Sequence, residues 1–141
     1  MLRRLRRARA AVLGPRRAAA SQDVQDFLLV ARQSFVQMQA AWDRADLPAL
    51  GLLATAPLLA DLREQLAQRG PGPNCTEVLE LEARLLVLED LREAYVASVE
   101  FSGLIREQGD RAAEPFRELW LLANVKSAAR GWQLTRVQPL F

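Results

Sequence analysis

Glu118 stands between Phe116 and Trp120, and this is the place in the chain where residue types and spacing offer acid–base chemistry. In period-two alternation the three share one face, and burial beside two rings raises a carboxyl pKa towards the range useful for proton transfer. Tyr95 supplies a phenol donor. Such a pair would serve an isomerase or dehydratase acting on a small apolar ligand. The plainer expectation, which carries more weight, is that Glu118 faces outward or pairs with Arg117 or Arg136.

Other chemistry is scarce. The 141 residues contain no histidine, which removes the commonest general base, the commonest metal ligand and any Ser-His or Cys-His nucleophile pair. Cys75, the one cysteine, follows the run Gly70-Pro71-Gly72-Pro73-Asn74 with no adjacent cation, so it reads as an inert loop thiol. No intramolecular disulfide can form, which fits a reducing compartment. The acidic run Glu77, Glu80, Glu82, Glu89, Asp90 and Glu93 lacks the glycine turn and ligand spacing of a calcium loop and reads as a solvated face. No Gly-rich phosphate loop is present. No cofactor and no metal are implied.

Charge is unevenly placed. Arg3, Arg4, Arg6, Arg7, Arg9, Arg16 and Arg17 all precede Asp23, the first acidic residue. Taking those seven from the 19 basic residues leaves 12 against 17 acidic ones, a net of −5 for the rest. The isoelectric point near 9.3 therefore belongs to the N-terminal segment. An acidic body without basic residues interleaved with aromatics excludes nucleic acid as the expected partner. Residues 1–20 resemble a mitochondrial presequence in being Arg-rich and acid-free, although no serine precedes Ser21. Equally, they suit docking on anionic lipid headgroups, a solvated extension, or an upstream region translated from a misplaced start. The seven arginines are the membrane-surface candidates.

The elements that must position Glu118 and Tyr95 lie in the second half. Tyr95 to Arg106 alternates as a strand, with Tyr95, Ala97, Val99, Phe101 and Ile105 on one side and Ser98, Glu100, Ser102 and Arg106 on the other. Gly103 interrupts it and marks a bulge or bend. Turns at Gly109-Asp110 and Ser127 to Gly131 separate two further strands, Pro115 to Val125 and Gly131 to Val137, and Pro139 is expected to stop pairing. Phe116 to Leu122 is apolar on both faces towards its end, as a central strand covered on both sides would be.

The first half is helical. Asp23 to Asp43 carries Phe27, Val30, Ala31, Phe35, Met38 and Trp42 at three- and four-residue steps, with Gln25, Asp26, Arg32, Gln33, Gln37 and Gln39 opposite. Ser21 or Gln22 is the expected cap. Asp46-Leu47-Pro48 starts a short helix through Leu53, and Thr55-Ala56-Pro57 starts another bearing Leu58, Leu59, Leu62 and Leu66, ended by Gly70. Thr76 to Arg92 is ambiguous from its own residues. Val78, Leu81, Leu85, Leu88 and Leu91 satisfy helical spacing, whereas Leu79, Leu81, Ala83 and Leu85 satisfy a strand.

With 50% hydrophobic composition, one domain is expected, with residues 1–20 as an extension and 21–141 as the folded unit. No stretch reaches the roughly 18 apolar residues of a membrane-spanning helix. Helices followed by a curled antiparallel sheet of about four strands are expected to make an α+β chain, and this layout resembles cone-shaped folds of the nuclear transport factor 2-like kind.

Particular residues carry a narrower resemblance. Phe35-Val36-Gln37-Met38-Gln39-Ala40-Ala41-Trp42-Asp43 with Asp46-Leu47 resembles the first helix of the family named for subunit 44 of the mitochondrial inner-membrane translocase. The helix start at Thr55-Ala56-Pro57, and Asn74 with Thr76-Glu77-Val78, follow the same pattern. So do Val99-Glu100-Phe101-Ser102-Gly103, Phe116-x-Glu118-x-Trp120, and Trp132-x-Leu134 with Val137-Gln138. The resemblance spans Val24 to Leu140 and implies that 76–92 is a long strand entering the sheet. Arg-rich composition, with Lys126 the only lysine, is more like a bacterial member. Two departures stand out. Bacterial relatives usually carry a membrane span and a Gly-rich linker ahead of this domain, so a truncated or shorter paralogue is expected, and Arg136 replaces a commonly small residue.

What the resemblance implies is a non-catalytic, membrane-associated adaptor at an inner-membrane face, as in protein-translocation tethers. Its partner would be anionic membrane lipid or an inner-membrane translocation protein. It would sit peripherally at the bacterial inner membrane or in the cytoplasm, or alternatively in the mitochondrial matrix. A wide apolar pocket between helix and sheet would take an acyl chain or a partner helix, lined by Phe27, Phe35, Met38, Trp42, Leu58, Leu62, Phe101, Trp120 and Trp132. For the helix residues among these, plain core packing is the competing expectation.

Overall fold

The longest helix forms where the apolar steps are most regular. A computed structural model describes residues 17–70, 74–107 and 112–140, with side chains from residue 22 onward. Helix α1 (Arg17–Asp43) buries Leu28, Ala31, Phe35, Met38 and Ala41, one stripe at three- and four-residue spacing. Phe27 and Trp42 flank this stripe, half-buried. Val30, expected on the stripe, is 41% exposed, because one residue before Ala31 is a 100° rotation away from it. Ser21 and Gln22 lie within α1 and do not cap it.

The helix ends by a left-handed residue. Ala45 takes φ 53°, which lets the Asp46 N–H reach the Ala41 carbonyl at 2.9 Å. Asp46 then caps α2 (Leu47–Leu53), its carboxylate accepting from the Ala49 N–H at 3.1 Å, with Pro48 in the first turn. That bond, helped by Arg44, holds the Asp46 carboxyl below its ordinary range. Helix α3 (Ala56–Arg69) follows and stops at Gly70, φ 85°. Thr55 occupies its cap position without a side-chain cap bond.

Four strands make one antiparallel meander in the order β1-β2-β3-β4. They are β1 (Thr76–Asp90), β2 (Ala94–Glu107), β3 (Glu114–Val125) and β4 (Gln133–Pro139). The α+β layout expected from the sequence is present. The ambiguous segment resolves as strand from Thr76 to Asp90, with Leu91 and Arg92 in the turn to β2. Two register breaks, between Val78 and Glu80 and between Leu85 and Val87, add a residue to β1 each time. Leu79 is therefore turned outward at 41% exposure, while Val78, Leu81, Ala83, Leu85 and Leu88 all meet the core. Gly103 lies across from Leu81, next to the first break. Pro139 does not end the pairing. It stands opposite Glu118 on an edge strand, where a missing N–H is tolerated, and the Leu140 N–H donates to the Arg117 carbonyl at 3.0 Å. The expected turn at Gly109-Asp110 falls outside the described residues.

Helices and sheet share one core. Phe35 sits at its centre, with ring centroids of Phe101, Trp120 and Phe116 at 4.8, 5.0 and 5.4 Å. Asp43 fastens the end of α1 to the start of β1, accepting from Asn74 Nδ2 at 2.8 Å and from the Thr76 N–H at 2.7 Å. At the opposite edge, Ala54 bridges Leu134 and the Thr55 N–H donates to its carbonyl at 2.9 Å. The sheet's other face carries a small cluster, Val87 and Leu121 with Leu86 and Val96. Ser98, expected on this outward side, is buried between them, its hydroxyl unpartnered among the described residues.

Candidate functional site

All nine residues proposed to line a pocket belong to the single core. Phe35, Met38, Phe101 and Trp120 are buried in it, and the rings of Phe35, Phe101 and Trp120 pack against one another with centroids 4.8–5.0 Å apart. Phe27, Trp42, Leu58, Leu62 and Trp132 are half-buried around its rim. Phe27 and Trp132 meet edge-to-face at 4.9 Å, joining α1 to the chain just before β4. At the far end of α1 the Arg69 guanidinium lies 5.3 Å over the Trp42 ring and donates to the Trp42 carbonyl at 2.7 Å. Apolar periodicity selected these residues, and the same periodicity is why they converge.

Glu118 keeps the face of its neighbours. It alternates with Phe116 and Trp120 on the helix side of the sheet, half-buried, and accepts a hydrogen bond from the Trp120 indole N–H at 2.9 Å. The expectation that it faces outward, or pairs with Arg117 or Arg136, is not met. Arg117 instead reaches Glu100 at 3.2 Å, because both point to the outer face, where Arg84 joins them at 3.3 Å. The Arg117 bond, with Arg84 adding to it, holds the Glu100 carboxyl below its ordinary range against the opposing effect of burial.

Tyr95 is not brought to Glu118. In register Glu118 opposes Phe101, and Tyr95 lies six residues earlier on β2, about 20 Å away at the rise of a strand. Tyr95 is 40% exposed, with Lys126 4.5 Å over its ring. Lys126 also pairs with Asp90, which holds its ammonium above the ordinary lysine range. Among the described residues no three His, Cys, Asp or Glu side chains cluster as metal ligands would, and no helix is long and apolar enough to cross a membrane. Cys75 is exposed in its loop. Of the arginine candidates, Arg3, Arg4, Arg6, Arg7, Arg9 and Arg16 lie outside the described residues, and Arg17 opens α1.

One feature escaped the sequence. An open groove of about 440 Å³ runs between α1 and β1, lined by Arg32, Gln33, Val36, Gln37 and Leu81. Val36 is 49% exposed, and Leu29, seven residues earlier on the same helix face, is also exposed. Two apolar residues a heptad apart, both off the core stripe, were the available signal.

No protein-family model and no curated protein matches the sequence. Solved structures do resemble the fold. The intermembrane space region of chloroplast protein ARC6 superposes with a TM-score of 0.51 at 13% identity, covering 79% of this chain and 94% of that one. A nuclear transport factor 2-like superfamily protein from Salmonella enterica serovar Typhimurium aligns with a TM-score of 0.45 at 10% identity, over 76% of this chain and 84% of that one. At such identities the likeness concerns the fold alone.

Proposed function

We propose that this domain is a non-catalytic adaptor that holds a lipid or protein partner at a membrane face, in the manner implied by its resemblance to the translocase subunit 44 family. The observation that carries this reading is the separation of Glu118 from Tyr95 along the sheet, around an interior otherwise furnished with aromatic and aliphatic groups. The Glu118 carboxylate accepts from an indole N–H, and the phenol expected to assist it is elsewhere, in a chain without histidine, which supports a non-catalytic reading. Half-buried Phe27, Trp132, Trp42, Leu58 and Leu62 offer apolar surface at the core's rim instead. Seven arginines before Asp23 supply attraction for anionic headgroups, each contributing about 1 kcal/mol near a charged surface. A fold neighbour that is the intermembrane space region of a chloroplast protein is compatible with work beside a membrane.

The test is flotation with liposomes of graded cardiolipin content, comparing the full chain with a full-length variant in which the seven arginines are glutamine. The full chain is expected to float with anionic vesicles, less so as salt rises, and the variant to stay behind. Equal flotation of both would move lipid binding to the domain itself. Failure of the full chain to float on any composition sinks the membrane half of the proposal.

A further inference from the structure

Strand β1 is an edge of the sheet, hydrogen-bonded to β2 on one side and, among the described residues, to no strand on the other. Between its two register breaks it is regular from Glu80 to Leu85, and there its alternate backbone N–H and C=O groups face away from β2. Over this run the two sheet faces differ sharply. Leu81, Ala83 and Leu85 point to the helix side, where Leu81 and Val36 form the apolar part of the groove. Glu80 and Glu82 point to the outer side and are exposed. Neither has an ion pair among the described residues, whereas Glu77 is engaged by Arg106 and Glu100 by Arg84.

We infer that the β1 edge is a docking site for an extended peptide in which basic and apolar residues alternate. The inference rests on the adaptor reading and names the class of partner. An added strand would pair with the free backbone groups of Glu80 to Leu85. Its apolar side chains would continue the Leu81 row over the groove, and its cations would lie cross-strand from Glu80 and Glu82. Arg84, the one cation of this outer row, is already engaged by Glu100. In any antiparallel register of two β1 edges it can face at most one of Glu80 and Glu82, whereas a basic strand meets both, which favours such a strand over a second copy. Neutral Gln33 and Gln37 on the groove wall leave Arg32 as the one cation of its lining, so an acidic strand gains little there.

The probe is acetyl-(Arg-Val)4-amide, titrated into the full chain by calorimetry and mapped by amide hydrogen exchange. Binding is expected, with new protection confined to β1 between Glu80 and Leu85. The (Glu-Val)4 counterpart and a fully N-methylated (Arg-Val)4 are expected not to bind, the latter because it keeps every side chain and loses every backbone donor. The double variant Glu80→Lys, Glu82→Lys, altered only at exposed positions, should weaken binding about tenfold. Undiminished binding of the N-methylated peptide, or of the double variant, overturns the inference. So does a dimer in sedimentation with β1 amides protected before any peptide is added, which would make a second copy the occupant. Flotation is read on the same protein without peptide, so loss of the membrane reading and loss of the edge site are separate results.

Discussion

Glu100 shows how a single side chain on this sheet is set by cross-strand neighbours. It lies between Arg84 and Arg117 on the outer face, itself well shielded while both cations reach solvent. Exposed partners limit the gain, and Glu100→Gln is expected to cost about 0.5–1 kcal/mol at neutral pH. The folded carboxyl titrates below its unfolded value of 4.5, so the stabilisation is present above that value and disappears as pH falls through the folded pKa. Urea unfolding at pH 7 should therefore separate variant from parent, and the gap should narrow progressively as pH is lowered from 4.5; a gap that does not change with pH would refute the account. The same dependence on register limited what was legible. Apolar spacing gathered Phe35, Met38, Phe101 and Trp120 into one core, because side-chain period alone decides which residues share a face. That Arg117 turns to Glu100 depends on a cross-strand register that no local pattern encodes, and that the Trp120 indole donates to Glu118 is a matter of rotamer, although alternation already put the two on one face.

Strand β1 explains why one element defied a local reading. Val78, Leu81, Leu85 and Leu88 step by three, four and three, as on a helix, yet they share the helix-facing side of a sheet. Each register break adds one residue and converts an even strand spacing into an odd one. Two such breaks in one strand produce a counterfeit helical period. Helix α1, without breaks, was legible from Asp23 to its end at Asp43, although it starts six residues earlier, at Arg17. Gly103 belongs to the same device, with φ 153° across from the first break. A Cβ built there would stand 1.9 Å from the Glu80 carbonyl oxygen, so the two strands approach as only glycine allows. Gly103→Ala is expected to destabilise by about 2–3 kcal/mol, the range of overpacking combined with an unfavourable dihedral. A chemical denaturation midpoint within error of the parent would show that β1 can shift without cost, and that the break is not fixed by Gly103.

At the scale of the molecule, helices and sheet have no separate interiors. Phe35 from α1 packs against Phe101 of β2 and Phe116 and Trp120 of β3, so removing the helix would leave the sheet's inner face bare. The sheet is also tied at both edges to helical segments, by Asp43 to Thr76 and by Thr55 to Leu134. Such an arrangement predicts one cooperative transition, because neither layer can bury its apolar face alone. The three tryptophans make this measurable. Trp42 reports the junction of α1 with Arg69, Trp120 the centre of the core, and Trp132 the approach to β4. Tryptophan fluorescence and far-ultraviolet circular dichroism should give superimposable urea curves, and Phe35→Ala should shift both together by about 3–5 kcal/mol. A fluorescence change that precedes the loss of helix would mean that the sheet opens first, and the shared core would then not be what holds the two layers as one unit.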